Sequence, residues 1–250
     1  MDLKLLLSLA VSITFCSCSS VGVHSLQTNR VAVREAPSRI WVERFSAPLS
    51  AFQLGERPAS EKRVLRDAIV TNLARSTSGQ LNTHAANSSV LGASSTSSPG
   101  SWIVRGQIQR VDQGSRALRA GIGLGAGRTE MRTSVTVFKV TAAGLVPLLR
   151  FNTTGSSGLE PGVALGIATG GVGTVLSAAS AGGTLLMGSL PGVNTDIDRT
   201  SYEIAAVLSL YLQDRGLLGR SRIPIQPKMK GELPTTVNLS RAIPAPLRTQ

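Results

Sequence analysis

Two stretches of strict alternation constrain this chain more than anything else in it. Residues 101–112 (SWIVRGQIQRVD) place Val104, Gly106 and Ile108 on one face and Arg105, Gln107 and Gln109 on the other. Residues 131–140 (MRTSVTVFKV) alternate Val135 and Val137 with Ser134 and Thr136. A period of two over this length is the mark of a half-buried strand. A third strand is predicted over 145–151 (LVPLLRF), across a turn at Ala142, Ala143 and Gly144. Pro147 makes it an edge strand or one with a bulge, because proline cannot donate to a ladder. The first two strands are joined by a long excursion, 113–130 (QGSRALRAGIGLGAGRTE). The block therefore demands an antiparallel sheet.

Two helices are predicted to cover that sheet. Over residues 58–78, Val64, Leu65, Ala68, Ile69 and Leu73 recur at helical spacing. Ser60 is the expected N-cap, Glu61 suits the positive helix start, and Gly79 is the expected stop. The second helix has a capping-box pattern, Thr200 as N-cap with Glu203 three residues on. Its stripe is Ile204, Val207, Leu208, Tyr211 and Leu212, and Gly216 closes it. Residues 39–45 (RIWVERF) form a first strand, with Ile40, Val42 and Arg44 opposite Trp41, Glu43 and Phe45. Residues 82–100 are low-complexity polar chain and are expected to be a mobile loop. The expected fold class is α+β: a small antiparallel or mixed sheet packed by two amphipathic helices, with a Gly-rich apolar insert at 158–195 and disordered termini.

The flanks divide the chain. Residues 1–17 have the length and apolarity of an export signal, too short to span a membrane. Phe15-Cys16-Ser17-Cys18 resembles the bacterial lipobox, with small Ser17 before the acceptor Cys18. Phe15 stands where leucine is usual, and cleavage by an ordinary signal peptidase is the competing reading. With no Asp after Cys18, an outer-membrane lipoprotein facing the periplasm is expected. Residues 18–37 read as a polar tether, 38–218 as the single α+β domain, and 219–250 as a basic, proline-rich disordered tail. Cys16 and Cys18 are the only cysteines, so the domain holds no disulfide and no cysteine metal site.

The net charge of +12 calls for an anionic partner. For an exported chain that means lipid or an anionic envelope polymer rather than nucleic acid. A merely basic surface with no specific partner fits as well. From 161 to 195 there is no charged residue, and nine glycines punctuate the insert. In a water-exposed helix they would cost about 8 kcal/mol. Small residues four apart do allow close helix packing in a membrane. A connector packed on the sheet is the alternative.

Enzyme constellations fail by subtraction. The only histidines, His24 and His84, fall in the expected tether and loop, leaving no base for a Ser-His-Asp or Cys-His arrangement. Ser180 lacks the first glycine of a nucleophile elbow. The 121–127 run lacks the lysine of a phosphate loop, Arg128 standing there instead. Asn194, Asp196 and Asp198 alternate like a calcium loop, but Arg199 and Ala205 occupy its glycine and glutamate positions, so helix-start acids explain them better. No cofactor and no metal are expected. The one candidate binding cluster is Arg116, Arg119 and Arg128 around the glycines, which could grip an anion or a partner with forked donors and free N–H groups. They could equally cap carbonyls or face solvent.

Val104-Arg105-Gly106, the run Gly114 to Arg119, Gly123 to Gly127 and the strand from Ser134 to Val140 together resemble the bacterial domain of unknown function 4410. The resemblance spans roughly residues 40–217 and is strongest at 104–140. It implies an α+β domain on a lipid anchor in the cell envelope and supplies no catalytic residues. In element order the chain is also similar to the periplasmic domains of the curli secretion lipoprotein family, as architecture only. The expected function is a lipid-anchored, non-enzymatic envelope adaptor or assembly component. Its partners would be the membrane, other envelope proteins or anionic envelope polymers, with self-association left open. The alternative is a subunit of an oligomeric pore or secretion complex.

Overall fold

The computed structural model describes residues 21–93, 95–114, 129–157, 191–231 and 234–237. In chain order the elements are β1 (Gly22–Asn29), β2 (Ile40–Val42), a 3-10 turn (Leu49–Ala51), β3 (Phe52–Gln53), α1 (Ala59–His84), β4 (Ser88–Val90), β5 (Trp102–Asp112), β6 (Thr129–Thr141), β7 (Gly144–Ser157), α2 (Pro191–Gln213) and β8 (Thr235–Val237). The sheet is mixed, in the order β4-β2-β5-β6-β7-β1-β8, with β3 also pairing with β5. Both helices lie on one face, and the fold is α+β as expected. Among the described residues no helix is long and apolar enough to cross a membrane.

The alternation in β5 and β6 does what its period dictates. Val104, Ile108, Val135 and Val137 are fully buried in one cluster with Leu65, Ile69 and Leu73 of α1 and Ile204, Val207 and Leu208 of α2. Trp102 is fully buried and meets Tyr211 edge-on, ring centroids 5.9 Å apart. Burial of this apolar surface, at about 25 cal/mol per Å², holds the helices down. Gly106 is needed on this face, since a Cβ there would sit 2.0 Å from Cε1 of Phe45. Of the apolar stripe expected in α1, Val64 is exposed, and Val70 is buried in its stead.

Several boundaries differ from expectation. Residues 18–37 are not a tether where described: β1 pairs antiparallel with β7, and Val21, Val23, Leu26 and Val33 are buried. Helix α1 runs through Gly79, whose Cβ position is open space, so the glycine costs only about 1 kcal/mol, which burial of Leu81 offsets. Ser60 lies inside the first turn and no side chain caps the helix start. The expected loop at 82–100 contains the end of α1 and β4. The Asn82 amide donates to the carbonyls of Ser78 (3.1 Å) and Ser88 (2.8 Å), and its oxygen accepts from the Ser88 N–H (2.7 Å).

Helix α2 begins at Pro191, nine residues before Thr200. Thr200 is fully buried mid-helix against the Met131 sulfur (3.7 Å), and Glu203 makes no capping box. The other end matches: Gly216 has φ +67°, the Leu217 N–H reaches the Leu212 carbonyl (2.8 Å), and the Gly216 N–H reaches that of Gln213 (2.9 Å). Residues 191–195, read as part of the Gly-rich insert, are helical. Residues 158–190 lie outside the described residues.

The tail is also corrected. From Gly219 the chain returns along α2 as a strap. The Ile225 N–H reaches Ser209 Oγ (3.3 Å), and the Lys228 N–H donates to Glu203 Oε2 (2.8 Å). Val23 then bonds on its free side, its N–H to the Lys228 carbonyl and its own carbonyl from the Lys230 N–H, both 2.8 Å. β8 continues parallel to β1. Pro147 is explained by the β6–β7 ladder, which slips between Val137 and Phe138. Pro147 sits at that bulge, past the last β1 pair at Leu149, so no donor is missing.

Candidate binding face

The face of the sheet opposite the helices has no described element on it. Its geometry follows from register. In the β6–β7 turn Gly144 takes φ +119°, Thr141 Oγ1 donates to the Gly144 carbonyl (2.8 Å), and Thr141 opposes Gly144. From that turn the ladder runs to Phe138 opposite Pro147 and then slips by one residue, which sets Thr136 opposite Arg150 and Ser134 opposite Asn152. On the next strands Arg105 opposes Thr136, Gln107 opposes Ser134, Gln27 opposes Arg150 and His24 opposes Asn152. Two rows result across four strands: Arg105–Thr136–Arg150–Gln27 and Gln107–Ser134–Asn152–His24. With strands about 4.8 Å apart, each row is about 14 Å long. Every member carries a hydrogen-bonding head, and all are exposed or half-buried.

Along the strands, the face differs on the two sides of these rows. Toward the β2 side and the start of β5, Ile103, Phe138 and Val140 form a small second cluster with Trp41 against it. The Arg39 and Arg105 guanidinium groups sit 5.2 Å from the ring centroids of Trp41 and Phe138. Arg105 also forks onto Glu43 at 2.6 and 2.8 Å, and that hydrogen bond raises its pKa further. At the end of β5, Arg110 meets Asp112 (2.9 Å) and Glu130 (3.4 Å), and Arg132 meets Glu130 (2.5 Å). Such partly exposed pairs contribute little to stability. Amides, hydroxyls and forked guanidinium groups in register suit recognition of a polar or anionic chain. The rows contain no acid–base–nucleophile set.

The residues singled out from the sequence fall elsewhere. Cys18, Arg116, Arg119 and Arg128 lie outside the described residues. The feet of their excursion are described: Asp112 opposes Glu130, and the Gly114 N–H, at φ +66°, donates to Asp112 Oδ1 (2.8 Å). Asp196 and Asp198 prove not to be helix-start acids. Asp196 is fully buried in the second turn of α2 and accepts from Thr129 Oγ1 (2.6 Å), tying helix to sheet. Asp198 accepts from Ser76 Oγ (3.2 Å), tying helix to helix, and burial pushes its carboxyl pKa up against that bond. His24 lies in a polar row. His84 ends α1, edge-on to Tyr202 at 5.9 Å with the Ile223 carbonyl 3.0 Å from Nδ1.

The open rows were missed as a site although half of their members were placed on the outer faces of their strands. The turn at Ala142–Gly144 alone would set Thr136 opposite Leu149 and Ser134 opposite Phe151. The bulge between Val137 and Phe138 shifts the pairing by one residue, and only that shift assembles the Ser134–Asn152 and Thr136–Arg150 pairs.

Among the solved structures that resemble the chain distantly are two from different bacteria. One is the PelC dodecamer from Paraburkholderia phytofirmans, 9% identical with a TM-score of 0.35, covering 72% of this chain and 97% of that one. The other is the hypothetical protein CT253 from Chlamydia trachomatis, 13% identical with a TM-score of 0.40, covering 71% of this chain and 98% of that one. No curated protein matches the sequence. A family model described as a domain of unknown function matches residues 26–174, more than half of the chain, from within β1 through the whole β5–β7 block. The chain belongs to that family, the domain of unknown function 4410.

Proposed function

We propose that this protein is a lipid-anchored component of the bacterial cell envelope that works as a non-enzymatic adaptor or assembly factor. Cys18 is the acylated residue, the signal being removed before it, and the domain faces the periplasm from the outer membrane. The observation that carries the reading is the asymmetry of the sheet. One face is sealed by two helices, while the other presents registered rows of Arg105, Gln107, Ser134, Thr136, Arg150 and Asn152 with no described element across them. This face is where another envelope protein or an anionic envelope polymer docks. The placement of the two histidines supports a non-enzymatic role: His24 stands opposite Asn152 in an open polar row, and His84 ends α1 between the Tyr202 ring and the Ile223 carbonyl. The Arg116, Arg119 and Arg128 cluster supplements the basic charge. Cys18→Ser tests the anchor: radiolabelled lipid incorporation should vanish and the protein should leave the membrane fraction. Undiminished labelling would overturn acylation at Cys18.

A further inference from the structure

We infer that the end of the sheet where β1 begins is turned to the lipid surface, so that the domain stands upright with the β6–β7 turn pointing away. This rests on the reading of Cys18 as the anchor. The chain is fixed from its first described residue. Val21 is 2% exposed and packs on Gly155, where a Cβ would meet its Cγ2 at 2.1 Å. Gly22 lies under the Lys230 side chain, and Val23 is hydrogen-bonded on both sides. Cys18 precedes Val21 by three residues, a reach of about 11 Å when fully extended. The thirteen residues of β6 span about 43 Å. An anchor on so short a leash brings only one end of the sheet to the headgroups.

The topology gathers other features at that end. Gly22 opposes Thr154, Thr154 opposes Arg132, and Asp112 opposes Glu130. Thr129 opposes Ser157 and is bonded to Asp196 in the second turn of α2. The feet of residues 115–128 and 158–190 are therefore there too. Glu56 belongs to the same end, because the neighbouring Gly55 lies against Gln113.

Depth-dependent quenching tests the orientation. An acylated Cys18 has no free thiol, so a single introduced cysteine takes a fluorophore. Glu56→Cys and Arg132→Cys mark the β1 end, and Ala143→Cys marks the exposed β6–β7 turn. The full-length lipidated protein is placed in vesicles of phosphatidylcholine and phosphatidylglycerol carrying a nitroxide headgroup lipid. Quenching several-fold stronger at the first two positions than at Ala143 is expected. Equal or reversed quenching in protein that carries lipid would overturn the orientation and leave the anchor standing. Failure of the unsubstituted chain to incorporate lipid would overturn anchor and orientation together.

Discussion

The two faces of one sheet are built from the same strands and differ in nearly everything else. In β5, Val104 and Ile108 point inward and are fully buried, while Arg105 and Gln107 between them are exposed. The inner face is held by area removed from water, so its residues are interchangeable only within limits of volume. The outer face contributes hydrogen-bonding groups in register and little burial. The comparison teaches that stability and recognition are carried by alternate residues of the same strands. Either can then be altered without the other.

The most severe way to break the division is from inside. Trp102→Ala removes the largest fully buried side chain and its edge-on contact with Tyr211, and should cost about 3–5 kcal/mol in denaturant unfolding. A loss within the scatter of surface substitutions would show that the inner face does not hold the fold.

Ending the chain after Leu218 comes next. It leaves both backbone groups of Val23 without their strap partners and Glu203 without the Lys228 N–H. Ile225 and Met229 also leave the core they pack against. A loss of about 2–4 kcal/mol is expected, read as a lowered midpoint of unfolding. An unchanged midpoint would mean that the strap is ornamental.

A smaller effect concerns pH. Burial pushes Glu203 up, opposed by the Lys228 N–H and the Lys228 and Lys230 charges, and burial likewise pushes Asp198 up. A carboxyl with a raised native pKa keeps its proton longer in the folded than in the unfolded state. Its stabilisation is full below the unfolded pKa, near 4, and is lost as pH rises through the raised native value. Stability should therefore fall across that window. Glu203→Gln, which keeps an acceptor for the Lys228 N–H, should shrink the slope to the part due to Asp198. A slope identical to that of the unsubstituted chain would contradict the assignment.

Legibility from sequence follows the same division. The core of β5 and β6 was plain because each side chain reports its face by parity, and the α2 stripe was plain because its period is helical. β1 escaped because its ladder slips between His24 and Gln27. Ser25 there has φ +51°, so the buried Val23 and Leu26 are three apart rather than two. The strap and β8 escaped because they are fixed chiefly by backbone bonds, which leave no side-chain period. Thr200 imitated an N-cap because a buried threonine and a capping threonine look alike in sequence. The outer rows were legible strand by strand but not as a site, since a row exists only once register across four strands is known.

The measurement that reaches the central claim most directly separates the two faces in one protein. Gln107→Ala with Asn152→Ala truncates two amides of one outer row and touches no inner residue. The change in unfolding free energy should stay within about 0.5 kcal/mol. Capture of the partners that the unsubstituted, lipidated protein retains from crosslinked envelopes should be lost. Undiminished capture by a fully folded double variant would show that the open face is not the recognition surface.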